Sequence, residues 1–367
     1  MNSKIFRPVI IALLLTASLA GRAADSLPRS TPEAQGVSSQ VILKFVQSAN
    51  TNVDTMHSFM ILRHGQVVSE GWWKPEAADK PHILNSVTKS FTSTAVGLAI
   101  RDGKLSLDDK VLKFFPDDAP ANPSDNLKTM TVRDLITMTC GHETEAKTVD
   151  GEPTVKQFLA HPVPHKPGTY FKYNTLGSYV LSAIVTKVTG QTALDYLTPR
   201  LFEPLGIESP RWNKSAEGVS MGGHGLYLRT EDIAKFGQLL LQKGKWNGKQ
   251  LIPQDWIEAA TSKQVSNAVE NRSQGLDWQQ GYGFQFWQCQ HRAYRGDGAG
   301  GQFCIVIPEL DVVIATTAQT QNMQGILDVI WDSLLPAFQD GTLPDDAASQ
   351  EKLKAMIANL CPQTKKK

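Results

Sequence analysis

The chain has 367 residues, of which 41% are hydrophobic and 20% charged, with 37 Lys plus Arg against 36 Asp plus Glu. This ordinary globular composition excludes long disorder. A formal charge of +1, with no run of one sign beyond Lys365 to Lys367, leaves neither a basic surface for nucleic acid nor an acidic steering field.

At the N-terminus Lys4 and Arg7 precede the apolar run 8–19 (PVIIALLLTASL), and the small residues Ala20, Gly21, Ala23 and Ala24 follow. A positive start, an apolar stretch too short to span a bilayer and a small-x-small site make the pattern of a signal peptide cut after Ala23. The expectation is a periplasmic or secreted protein with no stable membrane insertion after cleavage. The alternative, an uncleaved anchor helix, lacks the longer apolar run and stop-transfer charges it needs. Cys140, Cys289, Cys304 and Cys361 stand at wide, irregular spacings without a Cys-x-x-Cys pair, so they carry no metal or redox signature. An exported protein permits disulfides, but three pairings are possible and isolated thiols remain open.

In chain order, an amphipathic stretch at 41–49 predicts a helix, and 58–73 (SFMILRHGQVVSEGWW) predicts a hairpin turning at His64-Gly65. Helical spacing of Phe91, Ala95, Val96, Leu98 and Ala99 predicts a helix over 86–102 stopped by Gly103. Further helices are expected at 132–138, 176–189, 193–205 and 231–242, the last with Thr230 as N-cap. Strand character returns at 282–288, 302–308 and 312–317, before a last helix at 326–338. Strands at both ends and helices in the middle predict an α/β fold of α+β layers. One antiparallel sheet would be built from both chain ends, residues 24–110 and 250–367, with flanking helices, and about 111–249 would form an inserted, mainly helical part. The junction is the natural cleft.

The sharpest chemical feature is Ser86-Val87-Thr88-Lys89 at a helix start. A spacing of three on a helix sets the Ser hydroxyl and the Lys amine a turn apart on one face. A partly desolvated amine is easily kept neutral, so it can take the proton of an alcohol that is otherwise a poor nucleophile. A helix N-cap Ser beside a solvated Lys is the bland alternative. Tyr173, at the end of Pro167 to Thr175, is a second candidate: a phenol beside a lysine ammonium has its phenolate favoured and can relay a proton, unless it is simply buried and hydrogen-bonded. The third candidate is Gly296-Asp297-Gly298-Ala299-Gly300-Gly301. It spells G-x-G-x-x-G but opens a strand rather than a helix, which disfavours a dinucleotide site. Small residues there let a substrate backbone approach and leave an N–H as an oxyanion donor.

These segments, SVTKSFTSTAVGLAIRDGKLSLDDKV (86–111), TVRDLITMTCGH (131–142), PGTYFKYNTLGSYVLSAIVTKVTG (167–190), LFEPLGI (201–207), MGGHGLYLRTEDIAKFGQLLLQKGKWNGKQLI (221–252) and GAGGQFCIVIPELDVVIATT (298–317), resemble the serine β-lactamase and penicillin-recognising family in its own order. The likeness is to its class C β-lactamase and esterase branch. The resemblance implies a β-lactamase/transpeptidase-like fold and no cofactor or metal. It also implies that Ser86 is the acyl-forming nucleophile, Lys89 its partner and Tyr173 the tyrosine of a Tyr-x-Asn motif, with the N–H groups of Ser86 and Ala299 as the oxyanion hole.

Two departures accompany it. Tyr173-Asn174-Thr175 puts a hydroxyl where the motif has an amide, or displaces the amide to Asn174. Gly296, before Asp297 and Gly298, stands where the family has Lys or His, leaving a substrate carboxylate ungripped unless Arg295, Arg292 or His291 serves. The implied function is a secreted serine hydrolase acting through an acyl-enzyme on ester or amide bonds of small molecules or D-amino-acid peptides. A penicillin-binding or peptidoglycan-sensing module with slow deacylation, a true β-lactamase and a non-catalytic scaffold are the alternatives. Ser124-Asp125-Asn126 reads as a capping turn. His161 and His165, separated by Pro162 and Pro164, do not converge on a metal. Trp278, Tyr282, Phe284, Phe286 and Trp287 either line an acyl pocket or pack a core.

Overall fold

The computed structural model describes residues 26–148, 153–270 and 275–361, so the expected signal peptide, 1–23, lies outside the described residues. Among them no helix is long and apolar enough to cross a membrane. The main sheet has six antiparallel strands: β1 (Met56–Arg63), β2 (Gln66–Trp72), β3 (Trp287–Gln288), β4 (Tyr294–Gly298), β5 (Gln302–Ile307) and β6 (Val312–Ala318). Their order across the sheet is β2-β1-β6-β5-β4-β3, which joins the two ends of the chain at the β1–β6 pair, as the sequence predicts. His64 and Gly65, both at positive φ (50° and 73°), make the β1–β2 turn.

Apolar layers cover both faces. On one, α1 (Ser39–Asn52) packs with α6 (Ala347–Ala358) and the irregular helix that follows α5 (Met323–Val329). On the other lie α2 (Thr88–Arg101) and α4 (Thr230–Leu241), with α3 (Thr175–Thr189) packed on α2. Helix α4, within the stretch expected to form the helical part, lies directly on β5 and β6. Thr230 is its first residue rather than its N-cap. The Thr230 hydroxyl bonds Ser58 of β1 at 2.6 Å, while the Asp232 carboxylate accepts the Arg229 backbone N–H at 3.0 Å.

Helix α2 sits at the centre. Phe91 stacks on Phe236 of α4 with centroids 4.1 Å apart; a fully buried Phe contributes about 2–3 kcal/mol. Burial is not confined to an apolar stripe, because Thr88, Ser90, Thr92 and Ser93 are buried too. Three of these hydroxyls are satisfied by neighbouring backbone: Thr88 accepts from Leu226 N–H (3.2 Å), Ser90 donates to Gln285 C=O (3.0 Å) and Thr92 donates to Gly222 C=O (2.7 Å). Hydroxyls in place of aliphatic groups therefore hold α2 to the neighbouring loops.

Four expected elements differ, the last helix among them: 326–338 is α-helical only to Val329, more widely wound over Ile330–Leu334 and tighter over Leu335–Ala337. The stretch 282–288 is a tight turn around Gln285 (φ 65°), with Tyr282, bridged to Val265 and Trp287, before it and the strand residues Trp287 and Gln288 after it. The helix expected at 193–205 is α-helical over Ala193–Leu197 and a wider turn over Thr198–Phe202. The stretch 132–138 is a single short helix, Val132–Ile136. All four cysteines are free: Cys140, Cys289 and Cys304 are buried and Cys361 is exposed. Ser124 caps Asp125–Thr129, as expected.

Candidate active site

Leu84 to Val87 approach the end of β4 as a tight turn, Asn85–Val87, that runs into α2. Glycines make the approach possible. A Cβ on Gly296 would lie 3.0 Å from Ser90 Oγ and 3.2 Å from Val87 Cγ1, and one on Gly298 would overlap the Leu84 carbonyl oxygen. These glycines thus face the turn that carries Ser86, where the sequence suggested room for substrate backbone. The turn is also tied to the strand end by Asn85, at φ 46°, whose side-chain amide donates to the Ala299 carbonyl at 2.6 Å. Pairing with β3 covers Tyr294 and Arg295, so Gly296 to Gly298 continue past it.

Lys89 is 1% exposed. Its Nζ donates to Ser86 Oγ at 3.0 Å and to the Gly223 carbonyl at 2.8 Å, with Thr175 Oγ1 at 3.5 Å. Burial pushes its ammonium down to about 7, against a smaller opposing pull from the carboxylates of Asp297 and Glu145. Tyr173 borders the same cleft as Ser86, and the Lys89 amine lies 4.8 Å above the Tyr173 ring. The sequence argument favoured the phenolate; here burial raises the phenol instead, and the amine meets the ring face rather than the oxygen. The arrangement therefore pairs an amine that is readily neutral with a phenol that keeps its proton.

Thr175 is beside Lys89, but Asn174 is turned away from Ser86. Asn174 Oδ1 caps α3 by accepting from Gly177 N–H at 2.8 Å, and its Nδ2 donates to His142 Nδ1 at 3.1 Å. The amide is thus committed to a helix start and a buried imidazole, which leaves Thr175 at the position facing the lysine. None of the three residues considered for gripping a carboxylate lines the cleft. Arg295 is fully buried, with Nε donating to Asp297 Oδ2 at 2.8 Å; Arg292 pairs with Glu309 at 2.6 Å; His291 packs 5.2 Å from the Trp331 ring. His161 bonds Thr144, and His165 stacks on Tyr170.

A cleft of about 490 Å³ opens beside Ser86, bordered by Tyr173, Trp278, Trp287, Asp297 and Ala299. The aromatic set divides: Trp278 and Trp287 border the cleft, Tyr282 packs under Tyr173, and Phe284 and Phe286 belong to the core around α2. Sequence reasoning missed Asn85 and the Gly223 carbonyl. An Asn directly before Ser86 is a signal for positive φ; an acceptor on the backbone carries no side-chain signal.

Residues 54–363 match the Beta-lactamase family. The 6-aminohexanoate-dimer hydrolase of Paenarthrobacter ureafaciens is 24% identical over 278 residues, covering 70% of this chain and 71% of its own. Two solved structures share the fold. The octameric penicillin-binding protein homologue of Pyrococcus abyssi has a TM-score of 0.63 and 19% identity over 80% of this chain and 77% of its own. EstCE1, a hydrolase with promiscuous acyltransferase activity, has a TM-score of 0.65 and 18% identity over 80% and 99%. The chain belongs to the Beta-lactamase family and is a serine hydrolase that acts on amide or ester bonds.

Proposed function

We propose that the protein hydrolyses small esters or amides, D-amino-acid peptides among them, through an acyl-enzyme on Ser86. The observation that carries this reading is the 3.0 Å bond between Ser86 Oγ and a buried Lys89 whose ammonium is held near pH 7. Neutral Lys89 takes the Ser86 proton as Oγ adds to the carbonyl carbon. The backbone N–H groups of Ser86 and Ala299 receive the oxyanion. The tetrahedral species collapses, the C–O or C–N bond breaks, and the leaving group departs with a proton passed from Lys89 directly or through Tyr173. Water then adds to the acyl carbon with Lys89 as base, and Ser86 Oγ leaves reprotonated.

The cleft speaks against anionic β-lactams as the preferred substrates, because Asp297 borders it and no Lys, Arg or His stands among its described lining residues. We further infer export from residues 1–23; N-terminal sequencing of protein recovered outside the cytoplasm should begin at Ala24. The activity is tested by p-nitrophenyl butyrate hydrolysis with Ser86→Ala beside the wild type. Turnover lost in the variant supports the reading, and equal rates in both overturn it.

A further inference from the structure

The cleft on the Tyr173 side of Ser86 carries a charge pattern that hydrolysis alone does not require. Asp297 is 8% exposed and borders this cleft with Trp278 and Trp287. One carboxylate oxygen accepts from Arg295 Nε at 2.8 Å, and the Trp278 side chain also bonds the carboxylate. The Arg295 guanidinium is 0% exposed, lies 4.6 Å from the Trp278 ring centre and 5.9 Å from that of Trp287, and does not border the cleft. Among the described lining residues the charged side chain is therefore Asp297, flanked by the exposed margins of Trp278 (9% exposed) and Trp287 (6% exposed), with the balancing cation held behind them. In a half-enclosed site a carboxylate attracts a cation and repels an anion more strongly than on an open surface. Aromatic faces reinforce that preference, most of all for an ammonium group.

The same geometry assigns the side of the substrate. Tyr173 and Ser86 border this cleft together, so a leaving group that departs with a proton from the Ser86–Tyr173–Lys89 set lies here. The other neighbours of Lys89, Thr175 and Gly223, border a separate cavity. We propose that the leaving group of the substrate carries a protonated amine or quaternary ammonium, seated against Asp297 and the Trp278 and Trp287 rings, and that Asp297 determines this specificity. The proposal rests on the hydrolytic reading above and names its substrate class.

The test compares three thiobutyrate esters that differ at the thiol end: thiocholine (cationic), 3,3-dimethylbutanethiol (its neutral isostere) and 3-mercaptopropionate (anionic). In each, a bond forms between Ser86 Oγ and the acyl carbon, the C–S bond breaks, and the thiol leaves with the proton that Ser86 gave up. Released thiol is read by colour, with p-nitrophenyl butyrate as the control. The expected order is cation over neutral over anion, with kcat/KM for the thiocholine ester about tenfold or more above its isostere. That ratio should shrink with added salt and fall to about one in Asp297→Asn, being taken within one protein so that any loss of overall rate cancels. Turnover of the neutral ester with a wild-type ratio at or below one overturns the proposal and leaves the hydrolytic reading standing. Binding of choline against 3,3-dimethylbutanol to Ser86→Ala, read by tryptophan fluorescence, separates the two claims in the other direction. A choline preference in a protein that hydrolyses no ester keeps the cation site and removes the hydrolytic reading; equal binding of the two overturns the cation site.

Discussion

Asn85 Nδ2 lies 2.6 Å from the carbonyl oxygen of Ala299, so the residue before Ser86 is bonded to the residue that follows β4. Two segments more than 200 positions apart are thereby fixed beside Ser86, at the point where the proposed mechanism has the Ser86 and Ala299 N–H groups receive the oxyanion. Oxyanion stabilisation depends on donors set in place before the reaction, and losing one outright costs roughly a hundredfold or more.

Asn85→Gly separates the bond from the backbone conformation, since glycine adopts φ 46° freely. It is expected to lower kcat about tenfold, with a smaller change in KM, because the donors remain but are no longer held in register. Asn85→Ala should show the same kinetic loss plus about 1 kcal/mol of lost stability from the positive φ. Full activity in Asn85→Gly, measured on p-nitrophenyl butyrate, would show that the strand and the turn hold their register without this bond.

Lys89 makes both activity and stability rise with pH, over two adjoining windows. As the base it must be neutral, so kcat/KM should rise through an apparent pKa near 7 and level off above it. For stability, the folded-state value is about 7 and the ordinary value is 10.5. Between them the unfolded chain binds a proton that the folded chain does not, so folding gains as pH rises across that window. Below pH 7 the whole cost of burying the ammonium is present. Lys89→Met should therefore be inactive but more stable than the wild type at pH 6, by about 2 kcal/mol, and that gain should narrow as pH rises from 7 to 10. Urea denaturation at several pH values measures it; a constant or widening gap would mean that Lys89 is not buried as an ammonium.

How far the sequence led depends on the kind of information each feature holds. Ser86, Lys89 and Tyr173 were legible because their reactive groups sit on side chains at a helix start and at a strand-like end, and the antiparallel sheet was legible because its long strands alternate or run apolar in the usual way. The fate of Asn174 was not. An Asn directly before a helix start is a good N-cap as well as a candidate substrate ligand, and the buried His142 that decides between them lies 32 positions away. The strand expected at 282–288 failed for a related reason. Its Tyr, Phe and Trp residues have strand propensity, but Phe284 and Phe286 join the core around α2 while Tyr282 and Trp287 join the opposite one, which a turn at Gln285 allows. Asp297 was visible but ambiguous until Arg295, two positions back on the same face of β4, proved to be its buried counter-ion.

The glycines of β4 give the last prediction, because they meet the nucleophile's turn in two different ways. Gly296 faces side-chain atoms, Ser90 Oγ at 3.0 Å and Val87 Cγ1 at 3.2 Å, which can yield by a few tenths of an ångström. Gly298 faces the Leu84 carbonyl oxygen, part of a backbone already committed by the Leu84 N–H bond to Leu226 C=O at 2.8 Å. An added methyl at 298 therefore displaces the turn itself, two residues before Ser86, while one at 296 is absorbed by rotation of a serine and a valine. Gly298→Ala should lose about 1–3 kcal/mol of stability, as overpacked sites do, and more than tenfold in kcat, since a shift of about 1 Å at the reacting atom is enough for that. Gly296→Ala should lose less on both measures. Thermal denaturation and p-nitrophenyl butyrate kinetics on the two variants decide the matter, and the reverse ranking would mean that the strand, rather than the Ser86 turn, gives way.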